Sequence, residues 1–184
     1  MNILERNEEV WMVNERLADA PTFAFPARYR LRWYAPGDAD VWLRLQIAAD
    51  RYNTFEPDTF VREFGQDEIR LQQRVGFLLD PWQAPIGTIS AWADVFNDRE
   101  YGRIHWVAIV PEEQGKGLAK PMMSAACQRL LALGHTNAYL DTATVRVPAI
   151  NLYRLFGFEP VIRDDRERDI WRELALHLKM PLSI

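Results

Sequence analysis

The sequence predicts an α/β chain built as one domain. Three observations carry that expectation. The 184 residues are 48% hydrophobic and 26% charged, a globular balance with enough apolar material for a core. Short apolar or alternating runs recur between amphipathic helical stripes, so strand and helix periods interleave along the chain. One run, Trp106 to Val110, stops at Pro111 and leads at once into two glycines and a helix start.

Residues 1–26 read as an amino-terminal extension ahead of a domain over 27–184. Within it, Val10-Trp11-Met12-Val13 fits either a strand or the start of a helix to Ala20, and Pro21 and Pro26 bracket an irregular stretch. Tyr29 to Trp33 alternates and predicts the first core strand. Asp38 is the expected N-cap of a helix whose stripe is Val41, Trp42, Leu45, Ile47 and Ala48. A second helix is expected from Pro57 or Asp58 to about Arg74, broken at Gly65. Val75–Leu79 and Ile86–Trp92 read as strands, with turns at Asp80–Pro85 and Asn97-Asp98.

Arg103–Val110 is the fourth strand. The next helix starts at Gly117 or later, because Pro121 is tolerated in a first turn and costly deeper in; Gly134 ends it. Ala138–Thr142 is a strand, the segment around Tyr153 a short helix, and Phe158–Ile162 a sixth strand. Leu174, Leu176, Leu178 and Met180 alternate and predict a final strand; a helix over 170–178 is the competing reading.

A net charge of −4 leaves no basic footprint for nucleic acid. A single cysteine, Cys127, excludes an internal disulfide framework and suits a reducing cytoplasm. No apolar run approaches the ~20 residues of a membrane span, and the amino terminus lacks a signal-peptide layout. His135 and His177 lack ligand spacing, so no metal is expected.

The chemistry concentrates at Val110–Lys120. A helix start leaves about four backbone N–H groups unpaired and carries partial positive charge. Glycines let that backbone approach an anion, so the segment suits a phosphate chain. Gln114, Gly117 and Ala119 give the spacing Gln-x-x-Gly-x-Ala; neither common nucleotide-loop pattern is present. Downstream, Arg146 to Phe158 contains Asn151-Leu152-Tyr153 and Gly157-Phe158.

These two segments resemble the acyl-CoA motifs of the GNAT superfamily, the GCN-related N-acetyltransferases. With the element order, the resemblance spans roughly residues 27–180. It implies a mixed, mostly antiparallel central sheet of about seven strands flanked by helices. The fourth and fifth strands would splay around the pantetheine arm. The implied activity is an acetyl-CoA-dependent N-acetyltransferase, with direct attack by the primary amine of a small molecule in a ternary complex. A protein N-terminal or lysine acetyltransferase and a non-catalytic acyl-CoA-binding regulatory domain are the alternatives.

The resemblance also assigns residues. Backbone N–H groups of Gly115, Lys116, Gly117, Leu118 and Ala119 would hold the pyrophosphate, with Lys116 and Lys120 either adding charge or simply solvated. Main-chain groups of Ile109 and Val110 would pair with pantetheine, and Asn151 would contact it or order water. Tyr153 matches the tyrosine that protonates the departing thiolate. Arg103 stands near the place where many members carry a Glu base, so His105 becomes the candidate base; the alternative is a packed strand histidine. Asp141 is the runner-up, and Cys127 reads as a small core hydrophobe.

The seven tryptophans read mostly as core, Trp33, Trp42, Trp82 and Trp171 among them. Trp92 and Trp106 are candidates for an acceptor-pocket wall, and Trp106 and Val107 are expected on alternate faces. Glu56, Asp58 and Glu63 either draw a cationic amine or form a solvated face. The expected partner is a small-molecule amine, with no nucleic acid and no membrane. The resemblance allows a homodimer through the terminal strand and Trp171.

Overall fold

A computed structural model describes residues 2–182. Seven strands form one mixed sheet: β1 Glu9–Asn14, β2 Arg30–Trp33, β3 Val75–Leu79, β4 Pro85–Phe96, β5 Arg99–Ile109, β6 Ala138–Ala143 and β7 Glu159–Pro160. Their order is β2-β3-β4-β5-β6-β1-β7. β2–β3, β3–β4, β1–β6 and β1–β7 are antiparallel. β5 and β6 run parallel and share only two pairs, Gly102↔Ala138 and Arg103↔Tyr139. β3 is buried at every position, which is why its sequence is continuously apolar rather than alternating. The chain forms two compact units.

One unit comprises Thr22–Trp92 and Ile104–Leu133. It contains α1 Asp38–Ala49, α2 Thr59–Phe64, α3 Glu68–Arg74 and α4 Ala119–Ala132. Its core gathers Trp42, Phe60, Phe64, Leu71, Phe77 and Trp92, with the Trp42 ring edge-on to Phe60 and Phe64 at 5.5 Å. Gly65 at φ 72 splits α2 from α3 as expected. Asp38 is not the cap of α1 but its first residue. Its carboxylate accepts from Ala35 N (2.7 Å) and from Arg32 Nη2 (2.8 Å). Burial works against ionisation there, but Arg32 and Ala35 outweigh it and hold the Asp38 carboxyl below its ordinary value. Pro121 falls in the first turn of α4, where the missing N–H costs nothing.

The other unit comprises Met1–Pro21, Ala93–Arg103 and Gly134–Ile184. The segment read as an extension supplies β1, paired along its whole length with β6. Val10, Met12 and Asn14 are buried on one face. On the other, Trp11 stacks on Phe96 and Tyr139 at 5.8 and 5.7 Å. α5 is Val147–Leu155 and α6 is Asp165–Ala175.

The expected terminal strand is absent, and β1 brings the strand count to seven instead. Asp164 caps α6 by accepting from Glu167 N (2.8 Å), and Ile170, Trp171 and Leu174 bury one helical face. The alternation of Leu174 and Leu176 is incidental: Leu176 is 84% exposed. Trp171 is buried within this unit, whereas Trp82, read as core, is 81% exposed. Among the described residues no helix is long and apolar enough to cross a membrane.

Candidate functional site

The loop between β5 and α4 has the shape its glycines require. Gly115 and Gly117 take φ of 77° and 78°, in the left-handed region that side chains disfavour. Leu118 is buried and anchors the start of α4, while Gly115, Lys116 and Gly117 are exposed. Among the described residues, the N–H groups of Gly115 through Lys120 donate no hydrogen bond. Open donors at a helix start, on a backbone no side chain covers, fit a diphosphate.

The flanking side chains are partly engaged. Lys116 Nζ lies 2.8 Å from Glu113 Oε1, and that carboxylate raises the lysine pKa. Tyr29 OH donates to the other Glu113 oxygen at 3.3 Å. Lys120 Nζ sits 5.2 Å above the Phe23 ring. Gln114 Nε2 donates to Ile109 O (2.8 Å), and Val110 N donates to Ile86 O (2.9 Å) on β4. The Val110 N–H is therefore used inside the sheet.

In the same unit, His105 is 7% exposed and Trp106 half-buried. His105 Nε2 is 3.1 Å from Glu63 Oε2, and Trp106 Nε1 donates to that same oxygen at 2.9 Å. Trp106 has φ 49°, and this kink, not an alternation with Val107, sets the local facing of side chains. Glu63 is thus no merely solvated helix residue. Trp92 packs against Phe64 as core at 5.1 Å. Cys127 is buried mid-helix, and burial pushes its thiol up to about 12, so it carries no reactive thiolate.

Tyr153 and Asn151 belong to the other unit. Tyr153 is buried on α5, 6.3 Å from the Phe158 ring, and its hydroxyl makes no hydrogen bond among the described residues. Burial pushes its phenol up to about 12, which keeps it protonated. Asn151 turns to structure: Nδ2 donates to Val147 O (3.0 Å) and Oδ1 accepts from Lys179 N (2.7 Å). The pantetheine contact expected of it has to compete with both bonds. Arg103 Nη2 binds Asp141 Oδ1, which makes Asp141 a structural acceptor. Among the described residues no group of three or more His, Cys, Asp or Glu is placed to hold a metal.

The family model described as the acetyltransferase (GNAT) family matches residues 42–158. The mycothiol acetyltransferase of Pseudarthrobacter chlorophenolicus is 28% identical over 168 residues, covering 82% of this chain and 49% of the relative. That of Catenulispora acidiphila is 24% identical over 172 residues, covering 84% and 52%. The chain thus spans about half the length of the curated relatives it matches. The solved GCN5-related N-acetyltransferase from Sphaerobacter thermophilus superposes with a TM-score of 0.69 at 17% identity, over 84% of this chain and 49% of that one. A seven-stranded mixed sheet, a glycine loop opening α4 and a family match across more than half the residues lead to one conclusion: this chain belongs to the GNAT family of acetyltransferases.

Proposed function

We propose that this chain transfers the acetyl group of acetyl-CoA to the primary amine of a small molecule by direct attack. The observation that carries the reading is the run of open N–H groups from Gly115 to Lys120 beside two left-handed glycines. That backbone would hold the diphosphate of acetyl-CoA, with Lys116 and Lys120 adding charge. Acetyl-CoA supplies an activated thioester; the residues supply position and protons. Ile109 would guide the pantetheine arm at the end of β5, where its carbonyl accepts from Gln114 Nε2.

Tyr153 is the general acid in this reading. A phenol held protonated by burial donates its proton to the departing thiolate. His105 is the base, its imidazole taking the ammonium proton of the acceptor before attack. A small acceptor is favoured over a protein because the relatives are mycothiol acetyltransferases.

The test is release of free CoA from acetyl-CoA, followed with a thiol reagent, against small amines, aminosugars, polyamines, amino acids and peptides. Turnover confined to a small-amine class is expected. Turnover on peptides alone would replace the acceptor class. Binding of acetyl-CoA with no turnover at all would leave a binding domain.

A further inference from the structure

β2 is the outer strand of the sheet, and its backbone decides what can lie beside it. Tyr34 N donates to Val75 O at 2.8 Å, one position beyond the pair Trp33↔Gly76. Bonded and non-bonded pairs alternate along an antiparallel ladder. Arg30 and Arg32 therefore turn their main-chain groups toward β3, while Leu31 and Trp33 turn theirs outward. Trp33 O accepts from Arg32 Nη1 at 3.2 Å. Leu31 N, Leu31 O and Trp33 N meet no partner among the described residues.

A groove of about 480 Å³ opens between β2 and α4. Leu31 and Trp33 line it from the strand, and Ala125, Arg129 and Ala132 line it from one face of the helix. Arg129 is half-buried there, its guanidinium 4.0 Å over the Trp33 ring. Stacking holds the group flat and leaves its in-plane N–H groups to meet a planar carboxylate. Arg129 makes no hydrogen bond or ion pair among the described residues. Burial lowers its pKa with no acid to oppose it, whereas Arg32 is raised by its bond to Asp38. No Asp or Glu lines the groove, and Arg30, which also lines it, donates to the neutral Gln83 Oε1 at 2.7 Å. A cation held partly out of water without a counter-charge is costly until a ligand supplies one.

We propose that this groove takes an extended acidic peptide as an added strand on β2, with a glutamate of the peptide paired to Arg129. Side chains alternate along a strand, so a peptide residue beside Trp33 faces α4 as Trp33 does. A Glu there reaches Arg129. Residues two positions away face the same side, where Leu31, Phe25 and the two alanines offer an apolar floor. The pattern recognised is apolar-x-Glu-x-apolar. Main-chain bonds to Leu31 and Trp33 supply affinity, and Arg129 supplies the choice of sequence. Two arginines on a four-residue edge bar a basic strand and suit an acidic one. Arg129 lies roughly 15 Å along α4 from Ala119, at ~1.5 Å per residue. The site is thus separate from the glycine loop, and the proposal does not depend on the acetyltransferase reading.

The experiment is fluorescence anisotropy of a dye-labelled peptide, Thr-Val-Thr-Glu-Thr-Val-Thr, blocked at both ends and titrated with the full chain. Saturable binding is expected. Replacing the peptide Glu by Gln should weaken it at least about tenfold. Arg129→Gln should lose a similar factor, and the two changes together no more than either alone. Methylating the backbone nitrogens of alternate peptide residues, one set at a time, should weaken binding far more for one set, because only amides facing β2 donate. No binding, or equal binding of the Glu and Gln peptides, overturns the proposal, and neither result relies on a protein variant that has to fold. A preference for Glu that survives in Arg129→Gln overturns it too. Glu-dependent binding that neither methylated set weakens overturns the added strand and leaves a groove that takes a carboxylate alone.

Discussion

Arg103 Nη2 lies 2.7 Å from Asp141 Oδ1, tying β5 to β6 beside their parallel pair at Arg103↔Tyr139. The guanidinium also sits 5.5 Å over the Tyr139 ring and 3.4 Å from Asp94 Oδ2. Burial opposes its charge, but Asp141 and then Asp94 outweigh that and raise its pKa. Arg103 is a structural cation in the short stretch where the two strands still pair.

Asp141→Asn should therefore destabilise the chain. It leaves a half-buried guanidinium with weaker compensation, at a cost of about 2 kcal/mol. Urea denaturation would measure it. An unchanged midpoint would mean that Asp94 alone suffices.

Gly117→Ala should separate folding from binding. The residue has φ 78°, and an added Cβ meets nothing within 4 Å, so the cost is backbone strain alone. A stability loss of about 1 kcal/mol is expected. If the loop holds the diphosphate, acetyl-CoA affinity by calorimetry should fall about tenfold as the backbone shifts. Equal affinity would place the diphosphate elsewhere.

Tyr153→Phe should leave the fold intact, since the hydroxyl makes no hydrogen bond among the described residues. kcat should drop by about 100-fold while acetyl-CoA still binds. Unchanged turnover would remove Tyr153 from the chemistry.

Stability should fall at alkaline pH. Burial pushes Tyr153, Tyr139 and Cys127 each up to about 12, from ordinary values of 10.0, 10.0 and 9.0. Above those ordinary values the unfolded chain has released protons that the folded chain retains. The contribution is thus complete below about pH 9 and is lost as pH climbs toward about 12. Urea midpoints across that window would check it, and Tyr139→Phe should flatten the slope.

Asn151→Ala should loosen the chain near Lys179, because Asn151 Oδ1 accepts the Lys179 N–H at 2.7 Å. Faster proteolysis there with acetyl-CoA affinity unchanged is expected. A tenfold loss of affinity would put Asn151 back at the pantetheine.

Local rules read most of this chain correctly from its residues. Pro111 and Pro121 fix φ and lack an N–H, while the two glycines admit a left-handed φ that other residues avoid, so together they mark a strand end, a left-handed loop and a helix start. β3 and α4 were legible for the same reason, as apolar patterns long enough to outvote chance. The alternation of Leu174, Leu176, Leu178 and Met180 suggests a strand, but the cap at Asp164 starts a helix that runs through Ala175. Asp164 with Glu167 three residues on is a helix-start signature that lay in plain sight.

Other features have no local signal at all. Whether Val10 to Val13 formed a strand or a helix depended on β6, more than a hundred residues away, offering an edge to pair with. Asn151 binding Lys179, Arg103 binding Asp141 and the Val110 N–H closing on Ile86 are all partner choices across long loops. The sharpest case is Trp106. Its residue type argues for ordinary extended backbone, and the left-handed kink exists because Glu63, Gln46, Trp42 and Phe55 together outweigh its cost. Residue chemistry set what each group can do; packing between distant segments set which group each one meets.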